Sequence, residues 1–171
     1  MTQAGRLSTL DSISGPAALP AYDPARHGCG IAHLGTGAFH KAHQAVYTDQ
    51  AISEAGRDWR ITGINLRSTI TAETMNTQNG LYTLIARGAG RTTGRVIGSI
   101  AKVRPAAKHH DAAMAALSSP KTRIITLTVT EKAYGIDRIA MAVDGDHPSI
   151  SHDLANPRSP SGVLGMLVEA L

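Results

Sequence analysis

Cysteine and long apolar runs are nearly absent from this 171-residue chain, and their absence excludes several classes of protein. The one cysteine, Cys29, has no partner for an internal disulfide, which is typical of a protein kept in a reducing compartment. No apolar run approaches the roughly 20 residues that a membrane-spanning helix needs. The segment from Met1 to Pro24 also lacks the apolar core of a secretory signal. We therefore expect a cytoplasmic protein with no membrane partner.

Aromatic residues and blocks of one charge are also scarce. With one Phe, one Trp and four Tyr, most of the core must come from aliphatic side chains. The 17 Lys and Arg residues against 13 Asp and Glu give a net charge of +4. These basic residues are spread along the chain, so no nucleic-acid partner is indicated. The length suits a single domain that folds without disulfides or metal.

Strand and helix patterns alternate along the sequence after residue 27. Residues 1–27, rich in Ser, Pro, Gly and Ala, predict an arm or loose leader. The order of the patterns favours an α/β fold with a mainly parallel sheet and an antiparallel insertion at residues 81–100. Strands are predicted at Cys29–Leu34, Arg60–Leu66, Leu81–Arg87, Arg95–Ile100 and Arg123–Thr130, and helices at Ala38 to about Ala55, 108–118 and Val163–Leu171.

A glycine-containing turn between the first predicted strand and the first predicted helix indicates nucleotide binding. The sequence Gly35-Thr36-Gly37-Ala38-Phe39-His40 stands where a dinucleotide fingerprint would stand. In such a turn the first Gly permits a sharp bend, and the second lets the backbone approach a pyrophosphate at the helix N-terminus. His40 replaces the third Gly of the usual pattern. A plain strand-to-helix turn is the alternative interpretation.

The second predicted strand ends without the acidic residue that usually binds the ribose of NAD. It ends at Leu66-Arg67-Ser68, and the next acidic residue is Glu73. Arg67 and Ser68 suit the 2′-phosphate of NADP instead. The alternative is that Arg67 is a solvated loop cation.

Three histidines surround the turn. His33, His40 and His43 have no Cys or carboxylate partner nearby, so no metal site is predicted. His40 and His43 are three residues apart, which places them on one helix face. They are therefore candidates for the mouth of a cofactor or substrate site, or else ordinary surface histidines.

An ionisable pair, Glu131 and Lys132, follows the last predicted strand. Open α/β sheets bind ligands beyond the carboxyl ends of their strands, so this pair and the preceding Thr130 are site candidates. The alternatives are a surface ion pair and a threonine that only favours strand structure.

Five stretches of the sequence occur together in a specific order and spacing, and they cover nearly everything after residue 27. In this combination the chain resembles the N-terminal part of the mannitol dehydrogenase family. That family comprises polyol-specific long-chain dehydrogenases and includes the fructuronate and tagaturonate reductases. The stretches are Ile31–Ala45, Asp58–Leu66, Gly80–Leu84, Thr122–Tyr134 and His152–Leu171.

The resemblance implies a Rossmann-like, doubly wound, NAD-binding domain over residues 28–171. Glu131 would lie near the proton-transfer path. Family members use mostly NAD, so the resemblance favours NAD over the NADP that Arg67 suggests, and both cofactors stay open. With Arg67 and Thr130 added from the strand ends, the candidate cofactor residues are Ile31, Ala32, His33, Leu34, Gly35, Thr36, Gly37, Ala38, Phe39, His40, Lys41 and Ala42.

The resemblance also implies that part of the enzyme lies outside this chain. In the family a catalytic Lys, with Asn and His nearby, belongs to a C-terminal helical domain that also binds the sugar. Nothing in these residues corresponds to that domain, and the last predicted helix reaches Leu171 without a stop signal. We therefore expect a truncated chain with an incomplete Rossmann domain.

The complete protein would be an NAD-dependent oxidoreductase acting on a small sugar or uronate. It would interconvert a ketose or keto-uronate with its polyol or aldonate. Ile64-Asn65-Leu66 resembles the hexuronate reductases more than the mannitol 2-dehydrogenases, which favours an enzyme like the fructuronate reductases. The alternative is a catalytically inactive module that binds a dinucleotide or another subunit.

Overall fold

The computed structural model describes residues 9–88 and 90–171, and within them strands and helices alternate. The strands are β1 (Cys29–Leu34), β2 (Arg60–Asn65), β3 (Tyr82–Gly88), β4 (Arg91–Ile97), β5 (Ile100–Pro105), β6 (Ile124–Leu127), β7 (Ile136–Asp137) and β8 (Ala142–Val143). The helices are α1 (Ala38–Ala42), α2 (Gln44–Ala55), α3 (Ile70–Asn76), α4 (His110–Leu117), α5 (Pro148–Ala155) and α6 (Val163–Ala170).

Four of the strands form one parallel sheet in the order β5-β2-β1-β6. The chain moves outward in one direction from β1 through β2 to β5, then returns to add β6 on the other side of β1. This is the doubly wound arrangement of Rossmann folds, and the strand order reverses direction between β1 and β6. The predicted α/β fold and its mainly parallel sheet are therefore confirmed.

The predicted antiparallel insertion is confirmed as the hairpin β3–β4, which is a separate two-stranded sheet. The predicted strand Arg95–Ile100 is wrong, because it joins the ends of two strands. Chain direction changes at Gly98 and Ser99, where the Gly98 N–H donates to Asp49 and the Gly98 carbonyl accepts from Arg60. The residues after this break form β5, an edge strand of the parallel sheet.

Three helical segments differ from the sequence prediction. The helix predicted from Ala38 to Ala55 breaks at His43, which has φ −123° and ψ −86°, and so becomes α1 and α2. Helix α3 lies in a Thr- and Asn-rich segment of poor helix propensity, yet its Ala72 and Met75 are buried against the sheet. Helix α5 begins with Pro148 in its first turn and buries Ile150.

Apolar side chains cover both faces of the parallel sheet. Ile31 of β1 belongs to a cluster on the face of α2 and α3, whereas Ala32 and Leu34 belong to a cluster on the face of α4 and α6. Strands buried on both faces carry apolar residues at successive positions, as this segment does. The core therefore holds β1 rigidly, and with it the turn that follows.

The described part of the predicted arm lies against the rest of the fold. Ala18 pairs with the hairpin through backbone hydrogen bonds to Gly94 and Val96. The Tyr22 hydroxyl donates to Asp49, a buried carboxylate on α2. Residues 9–27 are thus an arm that is packed rather than a loose leader.

Candidate functional site

A cleft of about 700 Å³ lies at the carboxyl ends of β1, β2 and β6. Its walls are the turn after β1, the loop after β2, the segment after β6 and the starts of α5 and α6. The cleft includes the place where the strand order reverses, and open α/β sheets bind ligands there. Residues of three segments line most of it: Gly35–Gly37, Asn65–Ser68 and Thr128–Thr130.

The turn at Gly35 has a conformation that requires glycine. Gly35 has φ +94°, and a Cβ there would stand 2.8 Å from the Thr128 carbonyl oxygen. Backbone hydrogen bonds fix the turn further, since the Gly35 N–H donates to Ile64 at 2.8 Å and the Thr36 N–H donates to the Asn65 side chain at 2.8 Å. A Cβ on Gly63 of β2 would overlap Thr36 Oγ1, so the turn packs closely on the neighbouring strand.

Gly37 differs from Gly35, because neither its conformation nor its surroundings require glycine. Its φ is −97°, and the nearest atom to a Cβ at this position would be the Gly35 carbonyl oxygen at 3.8 Å. The space that a side chain would fill opens into the cleft at the start of α1. This cradle suits a ligand that approaches the backbone closely, as a pyrophosphate does in dinucleotide sites.

A chain of polar side chains crosses the interior behind the turn. Gln44 donates to Thr126 at 3.0 Å, and Thr126 Oγ1 lies 2.7 Å from Nδ1 of His33. On the other side of the ring, Nε2 lies 2.9 Å from Thr128 Oγ1, which donates to the Gly35 carbonyl at 2.7 Å. These partners assign the proton of neutral His33 to Nε2, because Nδ1 is then free to accept from Thr126.

His40 stacks on His33 under the turn. Both rings are fully buried, with centroids 3.6 Å apart and planes 15° from parallel. Within the described residues, neither ring nitrogen of His40 has a hydrogen-bond partner. The usual fingerprint has a third Gly at the position of His40, where it allows close packing. In this fold the stacked rings of His40 and His33 form the packing contact instead.

The stacked rings are poor proton acceptors. Burial lowers the pKa of His33 to about 4. Burial, followed by the proximity of His33 and Lys41, lowers the pKa of His40 to about 3. Both histidines are therefore neutral near pH 7, with His33 acting as a hydrogen-bonding group and His40 as a packing group.

The predicted cofactor loop divides between the cleft and the core. Gly35, Thr36 and Gly37 line the cleft, as predicted for a ligand-binding turn. The strand residues Ile31, Ala32, His33 and Leu34 are buried in the core and hold the turn from behind. The helix residues Ala38, Phe39, His40, Lys41 and Ala42 do not line the cleft.

His40 and His43 do not share a face, contrary to the prediction. His40 is buried, whereas His43 lies outside at the break between α1 and α2 and stacks on the exposed ring of Phe39 at 4.3 Å. Helical spacing fails here because α1 ends at Ala42.

The segment after β6 contributes Thr130 and Lys132 to the cleft lining. Glu131 between them lies outside that lining. Its carboxylate pairs with Arg138 at 2.6 Å, and its side chain is 67% exposed. The structure therefore brings two of the three predicted residues of this segment to the cleft.

Arg67 also lines the cleft, beside Ser68 and Thr71. Together with Lys132 it gives the cleft two cations. No Asp or Glu occurs among the described residues that line it. The electrostatic character of the cleft therefore favours an anion.

Sequence reasoning missed several residues that shape the cleft. Asn65 anchors the Thr36 N–H, and Thr128 holds the Gly35 carbonyl. The remaining wall is formed by Ser161 and Gly162, whose N–H groups both donate to Asp153 of α5. Asn65 was identifiable as the last residue of a strand next to the turn, but the Asp153 contacts join segments with no local pattern.

A larger cavity, about 900 Å³, lies at the opposite end of the sheet, between the arm and Arg60. The buried Arg60 guanidinium already donates to three carbonyl oxygens, those of Pro24, Gly98 and Ile100. Because the bond to Pro24 fixes the arm to the fold, we assign this region a structural role.

Residues 9–88 and 90–171 contain no group of three or more His, Cys, Asp or Glu side chains placed to hold a metal ion. No helix in the same residues has the length and apolar character needed to cross a membrane.

Comparison with known proteins assigns a family to this arrangement. Residues 29–171 match the family model described as the mannitol dehydrogenase Rossmann domain. The D-mannonate oxidoreductase of Escherichia coli (strain K12) is 37% identical over 169 residues, which is 96% of this chain and 35% of that protein. The mannitol 2-dehydrogenase of Pyrenophora tritici-repentis (strain Pt-1C-BFP) is 36% identical over 170 residues, 96% of this chain and 29% of that protein.

A solved structure shows the same fold. It is the Pseudomonas fluorescens mannitol 2-dehydrogenase in a ternary complex with NAD and D-mannitol. The two share 40% sequence identity with a TM-score of 0.90, over 97% of this chain and 35% of the other. The chain therefore spans about a third of the length of the relatives it matches.

Proposed function

This chain belongs to the mannitol dehydrogenase family through its Rossmann domain, and from that membership we propose that it holds the NAD of a polyol or sugar-acid dehydrogenase. The enzyme interconverts a ketone and a secondary alcohol on a small open-chain sugar derivative. When bound, the nicotinamide exchanges a hydride with the substrate carbon. The residues of this chain bind and orient that cofactor.

We propose a keto-uronate and its aldonate as the substrate pair, as in a fructuronate reductase. The similarity to a protein named D-mannonate oxidoreductase supports this choice. The similarity to mannitol 2-dehydrogenases supports the alternative pair of a ketose and its polyol. A lysine outside these 171 residues would be the general acid or base, so the chain alone would bind dinucleotide without turnover.

Each side of the cleft has a proposed role. The turn Gly35–Gly37 binds the pyrophosphate, with Gly37 providing the close approach and Gly35 the bend. Thr130 lies at the nicotinamide end, because it follows β6 across the point where the strand order reverses. Glu131 serves the proton-transfer path only after its ion pair with Arg138 opens.

The unfilled space beside Gly37 is the observation that most directly supports the proposal. A Gly37→Ala variant should fold normally, because nothing lies within 3.8 Å of the added Cβ. We expect its free energy of unfolding to change by less than about 1 kcal/mol. Its Kd for NADH, measured by isothermal titration calorimetry, should rise at least about tenfold, because the Cβ would separate the pyrophosphate from its backbone donors.

The matched control is Gly145→Ala. Gly145 is also exposed, has a conformation open to other residues and has no atom within 4 Å of an added Cβ, but it lies outside the cleft. This control should bind NADH as the unmodified chain does. A Gly37→Ala variant that folds and keeps its affinity for NADH would contradict the proposed binding mode.

A further inference from the structure

Three donors surround the carbonyl oxygen of Gly35, in the turn after β1. The Thr128 hydroxyl and the Gly37 N–H each donate to it at 2.7 Å, and Nε2 of His33 lies 3.3 Å from it. A carbonyl oxygen has two lone pairs, so these donors occupy its whole accepting capacity. Because the His33 ring is fully buried, the oxygen is engaged towards the interior of the fold.

The same peptide unit is held at its other end by β2. Its N–H group, that of Thr36, donates to the Asn65 side chain at 2.8 Å. Side chains from β2 and from the end of β6 thus fix one peptide plane from the two sides of β1. Glycine accepts φ of either sign, so the backbone at Gly35 would not keep this plane in one orientation by itself. The contacts with Thr128 and Asn65 supply that restraint.

All the hydrogen bonds in the network behind this carbonyl run in one direction. The Gln44 amide nitrogen can only donate to Thr126, which leaves the Thr126 hydroxyl to donate to Nδ1 of His33. Nε2 of the ring then carries the proton and donates to Thr128, whose hydroxyl donates to Gly35. Hydrogen bonds aligned in this way polarise and strengthen one another. The whole chain of donors therefore acts on the oxygen that sets the orientation of the turn.

We propose that this directed network prepares the turn for an anionic ligand, with His33 and Thr128 as positioning residues. The inference rests on the proposed function, because the anion is the pyrophosphate of the dinucleotide. A carbonyl oxygen facing a pyrophosphate would repel it, whereas free N–H groups attract it. By engaging the Gly35 oxygen in the interior, the network leaves the N–H groups at the start of α1 to meet the anion. His33 is fully buried and so acts through the turn, without touching the ligand.

The protonation of the His33 ring is the first test, and it needs no ligand. Nitrogen–proton correlation spectra of the histidine rings, recorded on the unmodified chain near pH 7, should show a proton on Nε2 of His33 and none on Nδ1. A proton on Nδ1 would overturn the proposal. Nε2 would then accept from the Thr128 hydroxyl, which could no longer donate to Gly35.

Calorimetric titration of variants with NADH tests the effect on binding. Thr128→Val removes the hydroxyl at nearly constant volume and should raise the Kd at least about fivefold, whereas Thr128→Ser keeps the hydroxyl and should stay within about twofold. Thr122→Val is the matched control. The Thr122 hydroxyl donates to the Ala116 carbonyl at 2.8 Å, and this residue does not line the cleft. The control therefore loses a similar hydrogen bond and should bind NADH as the unmodified chain does.

His33→Leu tests the network from a position that cannot contact the ligand. It removes the donor to Thr128 from the buried side, so the Kd for NADH should rise by a factor similar to that of Thr128→Val. A folded His33→Leu variant with unchanged affinity would contradict the proposal. If this variant does not fold, the two Thr128 variants and the ring protonation still decide the matter.

The outcomes separate this inference from the proposed function. NADH binding that Thr128→Val leaves unchanged would overturn the inference and leave the proposed function standing. An equal rise of the Kd in Thr128→Ser, or in Thr122→Val, would also overturn it, because the Thr128 hydroxyl would then not be the cause. Failure of the unmodified chain to bind NADH would overturn both proposals.

Discussion

His33 and His40 show how single residues support the turn from inside the fold. His33 connects Thr126 of β6 to Thr128, whose hydroxyl fixes the Gly35 carbonyl. His40 of α1 stacks on this ring and so packs the helix against β1. Since the rings are buried at 3.6 Å from each other, a proton on either would be costly.

This arrangement predicts a loss of stability in mild acid. Burial lowers the pKa of His33 from 6.5 to about 4. Between these two pH values His33 is therefore protonated in the unfolded chain and still largely neutral in the folded chain. The stability from His33 is complete above pH 6.5 and is lost as the pH falls towards 4, a change of about 3 kcal/mol. Urea unfolding at intervals from pH 7 to 5, above the range where most carboxylates titrate, should show the midpoint falling steadily.

Two variants control for other sources of pH dependence. His40→Leu should reduce the slope, because it removes a second buried histidine whose pKa is lowered by burial. His43→Ala is the control variant, because His43 lies outside the buried pair and its removal leaves both buried rings in place. A midpoint that stays constant from pH 7 to 5 would contradict the neutral, buried histidine pair.

At single positions, sequence predicted the residues whose role is local. The role of Gly35 was predictable because the turn needs a sharp bend, and the role of Gly37 was predictable from the spacing of the fingerprint. The burial of His40 could not be predicted, because it depends on a ring from β1 and on a helix break at His43. Asn65 was also missed as a turn anchor, since its contact crosses from one strand to the next.

Helix α6 depends on a cap from another helix. Its own N-cap residue is Gly162, which has no side chain to accept the first N–H groups. The buried Asp153 carboxylate of α5 instead caps the backbone just before the helix, accepting from the Ser161 N–H at 2.7 Å and from the Gly162 N–H at 3.0 Å. This contact joins α5 to α6 and positions the Ser161–Gly162 wall of the cleft.

Asp153→Ala should therefore destabilise the fold by about 2 kcal/mol, because it leaves buried N–H groups unpaired at the start of α6. Asp153→Asn should cost about half as much, since one acceptor oxygen remains. Chemical denaturation of the two variants and the unmodified chain measures the difference. A loss below about 0.5 kcal/mol in Asp153→Ala would show that water replaces the cap and that the two helices are not joined through it.

Strands and helices whose sequences show a clear apolar pattern were predictable, and the other strands and helices were not. Strands β1, β2 and β6 follow from short apolar runs, although β6 is shorter than predicted. Strand β5 was missed because the apolar residues Val96–Ile100 belong to two strands separated by Gly98 and Ser99. Helices α3 and α5 were missed because their Thr, Asn, Ser and Pro content resembles a loop, while tertiary burial of a few side chains stabilises them.

For the whole molecule, strand order decides where the ligand site lies. Alternating strands and helices predicted the parallel sheet, but the order β5-β2-β1-β6 depends on contacts that a single sequence does not display. That order brings Gly35–Gly37, Arg67 and Thr130 to one cleft from three separate segments. The larger cavity at the other end of the sheet is bounded by the arm.

Mapping NADH onto the backbone amides tests most directly whether the cleft is the dinucleotide site. In nitrogen–proton correlation spectra of the chain, saturating NADH should shift the amides of Gly35–Gly37, Leu66–Ser68 and Thr128–Thr130 most strongly, because these segments line the cleft. The amides of Ala21, Tyr22, Asp23 and Ala25, beside the larger cavity, should stay nearly unchanged. Shifts concentrated on the arm, or no shifts at millimolar NADH, would contradict the account.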